Sequence, residues 1–432
     1  MRILLDGYNL ALAQGTGVAT YSRNLSREMS NLGHDVSVLF GQRLHYGNEA
    51  ILREIAFFDD YEKRSHPIVE GVQSAMGAVL GPFGTTPRTV PLSGAVITKT
   101  FEARTQNFGR IYNSRNIFRT GEQSFDLWGK FLSVQMPEPH QLAHWTYPLP
   151  MKAKGCPNVY TLHDLVPLRL PYTTLDKKRR YLNLLRRIAK TADHIVTVSE
   201  HSRRDIIELL GVPEAKVTNT YQSVHIPDEI LKIDEAQVTR DVEGVAGVGC
   251  QEYLLYWGAI EPKKNVGRLI EAYLSSNIKT PLVIVGARAW KSDQELRLLN
   301  SVNSAFSGAR SPGNRIVLLD YVPFRLLMSL IRGAKGAIFP SLYEGFGLPV
   351  LEAMLLGTPV LCSDTSSLPE VAGDAALTVD PYNTDQLSSQ ITRLDSDADL
   401  RADLSRRGIA RAARFSPDLF RQRMHEVYKT LV

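Results

Sequence analysis

Cysteine is nearly absent. Cys156, Cys250 and Cys362 are the only three in 432 residues, odd in number and widely scattered. That pattern gives no disulfide framework and no thiolate metal site, and it points to a reducing compartment. Long apolar runs are missing too: none approaches the roughly 20 residues of a membrane-spanning helix. The opening Met1-Arg2-Ile3-Leu4-Leu5-Asp6 meets an acid too early for a signal h-region, so a cytoplasmic protein is expected. Charge of one sign does not dominate. A formal net charge of +5 permits an anionic ligand or membrane surface without demanding either. Repeats and low-complexity tracts are absent. What remains is 44% hydrophobic and 22% charged, ordinary for a soluble globular protein long enough for two or three domains.

The chain alternates short apolar runs with amphipathic stretches. Strands are expected at residues 2–5, 36–40, 142–145, 158–162, 193–199 and 216–221, with helices at 18–32, 176–190 and 200–210. Residues 41–141 are rich in glycine and proline and carry no clear period. The polar, acidic segment 227–251 reads as a domain linker. A second series follows, with strands at 253–257, 282–286, 315–319, 337–339, 360–362 and 377–379, helices including 266–273 and 324–332, and a last helix at 417–431. Two doubly wound α/β domains are the reading this supports.

Glu344-Gly345-Phe346-Gly347-Leu348-Pro349-Val350-Leu351-Glu352 is the most informative stretch. A short strand, a glycine loop and a helix start place backbone N–H groups where an anion can sit. Two acids there are tolerable if they bind hydroxyls on either side of a diphosphate. Eight helical residues rise about 12 Å, whereas paired glycosidase acids stand about 5–9.5 Å apart, so gripping an extended ligand fits better than hydrolysis.

Lys263 and Lys264 precede Asn265, a candidate N-cap. Cations beside a helix N-terminus are misplaced unless an anionic ligand balances them; alone, such a pair is more often a solvated charge run. His163 ends a strand where it could donate to a sugar hydroxyl or phosphate, or could equally be a structural histidine. No Ser-His-Asp ordering or metal-type histidine cluster accompanies it. Gly15-Thr16-Gly17 fails as a dinucleotide fingerprint because Thr20 takes the third glycine's place, which disfavours an oxidoreductase. In the segment 176–190, Tyr181, Leu184, Leu185 and Ile188 share one face, with lysines and arginines around it. A helix packed on a sheet explains this plainly; docking on anionic lipid is the sharper reading. Nucleic acid is not expected, because no aromatic residues interleave with the charge.

Together these residues resemble the family-4 retaining glycosyltransferases, which have the GT-B fold: two facing Rossmann-like doubly wound domains with an interdomain cleft. The resemblance rests on Glu344 to Glu352, on Glu261-Pro262-Lys263-Lys264-Asn265 (a variant frequent in bacterial mannosyltransferases), and on His163-Asp164. Val198-Ser199-Glu200-His201-Ser202 and Phe415-Ser416-Pro417 match as well. It implies an acceptor domain over residues 1–230, completed by a C-terminal helix over 416–432, and a donor domain over 231–415.

By that resemblance Lys264 neutralises the donor diphosphate, and Glu344 binds donor-sugar hydroxyls with the backbone N–H groups near Gly345, Phe346, Gly347 and Leu348. Glu352 takes the ribose, His163 lies beside the transferred sugar, and Gly17 borders the diphosphate. Ala259 stands where many relatives carry arginine, which makes Lys263 the candidate second cation. The glycine common near the end of the first domain is missing from Ser223-Val224-His225-Ile226-Pro227. The implied activity is metal-independent, cofactor-free transfer of a sugar from a nucleotide sugar to a glycan or polyprenyl-linked acceptor of a bacterial surface polysaccharide. The expected donor is GDP-mannose, with peripheral contact at the inner membrane face. A UDP- or dTDP-sugar donor, or a non-catalytic nucleotide-sugar binder, are the alternatives.

Overall fold

The computed structural model describes residues 1–11, 17–42, 49–59, 79, 83–96, 107–305 and 315–432. Its first ten strands are β1 (Arg2–Asp6), β2 (Asp35–Phe40), β3 (Arg88–Val90), β4 (Arg110–Asn113), β5 (Leu132–Val134), β6 (Leu142–Trp145), β7 (Met151–Ala153), β8 (Asn158–Thr161), β9 (His194–Thr197) and β10 (Val217–Asn219). Eight form one sheet in the order β10-β9-β8-β6-β1-β2-β4-β3. Only β3 runs antiparallel to its neighbour. β5 and β7 pair with each other outside that sheet.

The second sheet holds β11 (Leu254–Trp257), β12 (Leu282–Val285), β13 (Ile316–Leu319), β14 (Gly336–Phe339), β15 (Val360–Ser363) and β16 (Ala376–Val379). All are parallel, in the order β13-β12-β11-β14-β15-β16. Parallel strands are covered by helices on both faces and so read as unbroken apolar runs; Leu282-Val283-Ile284-Val285 is buried at every position. The architecture is α/β with two Rossmann-like domains. In each sheet the strand order reverses beside its first strand, between β1 and β6 and between β11 and β14. Ligands of such sheets bind in the crevice at the carboxyl ends beside that reversal.

One expectation is corrected. Residues 227–251 are not a linker throughout. Asp228–Leu231 and Glu235–Ala246 are helical, and the longer one is capped by the Asp234 side chain and closed by Gly247 in the left-handed region. Its buried face is Val238, Val242 and Ala246, while Asp241 bonds Arg325 and Ser329 of the helix Phe324–Arg332. The unpatterned stretch 41–141 also carries order where it is described: the helices Ala50–Phe58 and Ile117–Trp128, with β3, β4 and β5.

The last helix, Pro417–Lys429, starts from a Ser416 cap and packs on the first domain. Arg421 pairs with Glu28 at 2.8 Å, and the Tyr428 hydroxyl lies 2.6 Å from the His144 ring. The Phe420 ring meets Tyr21 edge-on.

Candidate functional site

β11 and β14 are neighbours at the reversal of the second sheet, and the loops that leave them meet there. The β11 loop must be thin. Gly258 has φ +138°, and a Cβ on Gly286, after β12, would fall 1.9 Å from the Gly258 carbonyl oxygen. A short turn at Pro262–Lys264 follows, then Asn265 with φ +61°. Asn265 is the residue expected to cap the next helix, and its side chain does not. A capping residue sits in the extended region, whereas left-handed Asn265 aims its Nδ2 away to the carbonyls of Pro340 (2.9 Å) and Pro381 (2.8 Å). It ties the β11 loop to those after β14 and β16.

That tie sets Lys264 against Glu344. The ammonium stands 2.6 Å from Glu344 Oε1, which also accepts from the Ser341 hydroxyl at 2.8 Å. The Glu344 N–H donates to Ser366. Burial would raise the Glu344 carboxyl, but Lys264 and Lys263 outweigh it and hold it below the usual range. Burial would likewise lower Lys263, yet Asp164, Glu261 and Glu344 raise it. The charge conflict at the helix start is therefore answered here by side-chain carboxylates.

Asp164 belongs to the other domain, and the glycine loop explains its proximity. A Cβ on Gly345 would lie 2.8 Å from the His163 carbonyl oxygen, so only glycine lets the loop press there. Ser199, the cap of the helix Glu200–Leu210, donates to the Gly345 carbonyl at 2.7 Å. Ser202 donates to the His163 carbonyl at 2.9 Å. Nearby, the Tyr343 hydroxyl bonds Asp205 at 2.5 Å, and Glu370 accepts from the N–H groups of Glu200 and His201.

Gly347, with φ +111°, opens the helix Leu348–Leu355 with no side-chain cap, so no capping side chain claims its first N–H groups. Gly17 starts the helix Gly17–Asn31, and a Cβ placed on it would lie 3.6 Å from the Leu348 side chain of the other domain; its partners Gly15 and Thr16 lie outside the described residues. Phe346 is a core residue, edge-on to Phe415.

His163 is bonded within its own domain. Its Nε2 lies 2.9 Å from the Thr146 carbonyl, which can only accept. Burial lowers its pKa, so the ring is neutral and its one proton is committed to Thr146. Nδ1 therefore offers a lone pair, which suits accepting from a hydroxyl.

Glu352 is held by a partner the motif does not announce. Trp257 Nε1 donates to its Oε2 at 2.8 Å, and burial raises the carboxyl to about 7. Trp257 ends β11, so its meeting with the helix that follows β14 can be inferred only from strand order. Ser366 and the reach of Asp164 escape sequence reasoning because only the fold brings their loops together, whereas Ser341 stands three residues before Glu344 and lies within reach of such reasoning. Among the described residues no group of three or more His, Cys, Asp or Glu side chains is placed to hold a metal.

Residues 246–411 match the family described as glycosyl transferases group 1, and residues 16–220 the glycosyl transferase 4-like domain. An O-antigen chain mannosyltransferase B of Escherichia coli is 34% identical over 278 residues, 63% of this chain and 70% of that protein. The serotype-specific mannosyltransferase WbdA of Escherichia coli is 28% identical over 285 residues, 63% of this chain but only 33% of that larger protein. Among solved structures, Anabaena Alr3699/HepE in complex with UDP-glucose superposes over 100% of both chains, with a TM-score of 0.67 at 14% identity. That likeness speaks to the fold alone.

Proposed function

The chain belongs to the group 1 glycosyl transferases with a 4-like first domain, and from that premise we propose a retaining mannosyltransferase. It takes mannose from GDP-mannose and extends a glycan or polyprenyl-linked acceptor of a bacterial surface polysaccharide. The mannosyltransferase names of its relatives support the sugar. The carrying observation is the meeting of Lys264, Lys263 and Glu344 at the strand-order reversal, beside the uncapped helix start at Gly347.

In this reading the donor diphosphate takes the place Glu344 holds beside Lys264, and Lys263 supplies the second positive charge. Both cations stabilise the leaving diphosphate as its charge develops, so the step needs no metal or other cofactor. Glu344, released from Lys264, accepts hydroxyls of the mannose. Glu352 accepts the ribose hydroxyls, and His163 Nδ1 accepts one sugar hydroxyl. The acceptor oxygen bonds the anomeric carbon while the bond to the β-phosphate oxygen breaks. That electron pair stays on the diphosphate, which takes the acceptor's proton on the same face. Residues 231–415 hold the donor; residues 1–230 with the 416–432 helix hold the acceptor.

Thermal stabilisation by GDP-, UDP- and dTDP-sugars without added metal tests this. A ligand at 100 times its dissociation constant adds about 2.7 kcal/mol. A shift confined to GDP-mannose, with slow donor hydrolysis when acceptor is absent, is the expected result. A shift with another nucleotide discards mannose. Binding without hydrolysis or transfer leaves a non-catalytic binder, and no shift at all overturns the reading.

The inner membrane face is the proposed location. The helix Lys178–Thr191 buries Leu184, Leu185 and Ile188, and Lys177, Arg179, Arg186, Arg187 and Lys190 line an open groove of about 730 Å³ against the helix Ile117–Trp128. Leu127 and Trp128 at that helix's end are half exposed. Clustered cations beside an exposed tryptophan suit anionic headgroups. No helix of the described residues is long and apolar enough to cross a membrane.

A further inference from the structure

The first sheet has a reversal of its own, between β1 and β6, and two tyrosines stand at its carboxyl end. Tyr8 follows β1 and Tyr147 follows β6. Their rings stack at 5.5 Å with 21° between planes, and Phe118 meets Tyr8 edge-on at 5.2 Å. Both tyrosines are only partly buried, so the wall they make is not closed over by the described residues.

The platform is rigid. A Cβ on Gly7 would strike the Phe40 ring at 2.6 Å, so the turn that delivers Tyr8 requires glycine. Asp6, buried at the end of β1, accepts from the Tyr8 N–H at 3.2 Å and from the Thr146 N–H. One carboxylate thus clamps both loops that carry the rings.

The platform also adjoins the reacting centre. The Thr146 carbonyl that receives the His163 proton belongs to the residue directly before Tyr147. Glu122 lies one turn beyond Phe118 on the helix Ile117–Trp128, on the face that meets Tyr8. Flat aromatic faces receive the C–H face of a pyranose, and a carboxylate beside them accepts its hydroxyls. A lipid chain would take the phenolic hydroxyls of both tyrosines out of water, which is costly.

We propose that Tyr8 and Tyr147 form the stacking platform for the terminal pyranose of a glycan acceptor, with Glu122 beside them as a hydroxyl acceptor. This rests on the transferase reading and adds the residues that select the acceptor. Their role is contact with the acceptor sugar, not donor binding.

The test follows the tyrosine ring resonances of the wild-type protein loaded with nucleoside diphosphate while methyl α-mannoside, glucoside, galactoside and rhamnoside are titrated in. At least one pyranoside should shift the Tyr8 and Tyr147 signals saturably. Tyr8→Leu and Tyr147→Leu should each weaken that binding by about tenfold or more, roughly 1.4 kcal/mol. Tyr8→Phe and Tyr147→Phe keep the ring face and should bind within about threefold of wild type. Nucleotide-sugar stabilisation should be the same in all four variants. Failure of every pyranoside to move these signals, or leucine variants that bind like wild type, overturns the platform while leaving donor binding intact. Loss of nucleotide-sugar stabilisation in the leucine variants also overturns it, because the rings would then be structural. Absent donor stabilisation in the wild type strikes the transferase reading instead.

Discussion

The Lys264 ammonium lies 2.6 Å from the Glu344 carboxylate, and both side chains are mostly buried. They approach from the loops after β11 and β14, 80 positions apart in the chain. Without ligand each is the other's counter-ion; a bound diphosphate would compete for the lysine and free the glutamate for sugar hydroxyls.

Breaking one side of this pair should therefore have two separable effects. Lys264→Ala leaves the buried Glu344 carboxylate without its direct counter-ion, with Lys263 and Ser341 as its remaining partners, and should lower stability by about 3 kcal/mol. It should also cut transfer by about 10²–10³-fold or more, because the leaving diphosphate loses its cation. Adding Glu344→Gln should restore most of the stability and none of the activity. Denaturant unfolding and transfer assays on the single and double variants separate the two. A double variant that recovers activity would remove Lys264 from the chemistry.

Glu352 gives the pH dependence its sign. Its carboxyl is raised from 4.5 to about 7 by burial. The folded protein then binds more protons than the unfolded chain between those values, so this group's contribution to stability falls as pH rises through that window and levels off above it. Glu352→Gln should remove that fall and leave the variant more stable than wild type at about pH 8. Donor binding runs the other way, since ribose hydroxyls favour the ionised acceptor. Wild-type donor affinity should rise from about pH 6 to about pH 8 with release of a proton, and the glutamine variant should bind weakly and without pH dependence. Calorimetry in two buffers of different ionisation enthalpy measures that proton directly.

Gly345 should tolerate no side chain. A Cβ there would meet the His163 carbonyl at 2.8 Å, and its own carbonyl is held by Ser199. Gly345→Ala should push the two domains apart at this contact, with a stability loss of about 1–3 kcal/mol. Transfer should fall more than donor binding does. Ser199→Ala removes both this bond and a helix cap and should cost about 1–2 kcal/mol with milder loss of transfer. Small-angle scattering and melting curves distinguish an opened Gly345→Ala from a merely destabilised one.

Much of this arrangement is legible in the amino-acid sequence, and what is not has a physical reason. Strands such as Leu142–Trp145 and Leu282–Val285 are buried on both faces, so their apolar runs stand out. The helix Glu235–Ala246 hides behind its polar surface, with only four buried positions to signal it. Lys264, Glu344 and Glu352 are legible because short loop motifs carry them in sequence. Trp257 on Glu352 and Ser199 on Gly345 join residues 95 and 146 positions apart, and only strand order and domain closure bring them together. Asn265 shows the opposite failure: the residue type is right for a cap, but its left-handed backbone gives it another task.

The basic groove offers a prediction with a built-in control. Arg180 is engaged by Asp126 and cannot be counted as free charge. Arg186 and Arg187 line the groove on the outer side of a helix whose inner face is Leu184, Leu185 and Ile188. Reversing both should leave packing untouched while turning two surface cations into anions. Each cation near an anionic bilayer contributes about 1 kcal/mol, so Arg186→Glu/Arg187→Glu should abolish sedimentation with phosphatidylglycerol vesicles. Wild-type sedimentation should weaken with salt, because exposed charges are screened. Trp128→Ala should weaken it at every salt concentration, since an inserted ring does not depend on screening. Donor stabilisation should be unchanged in both variants, as neither site touches the cleft loops. Equal sedimentation with neutral vesicles, or full binding by the charge-reversed protein, would show that this face meets something other than anionic lipid.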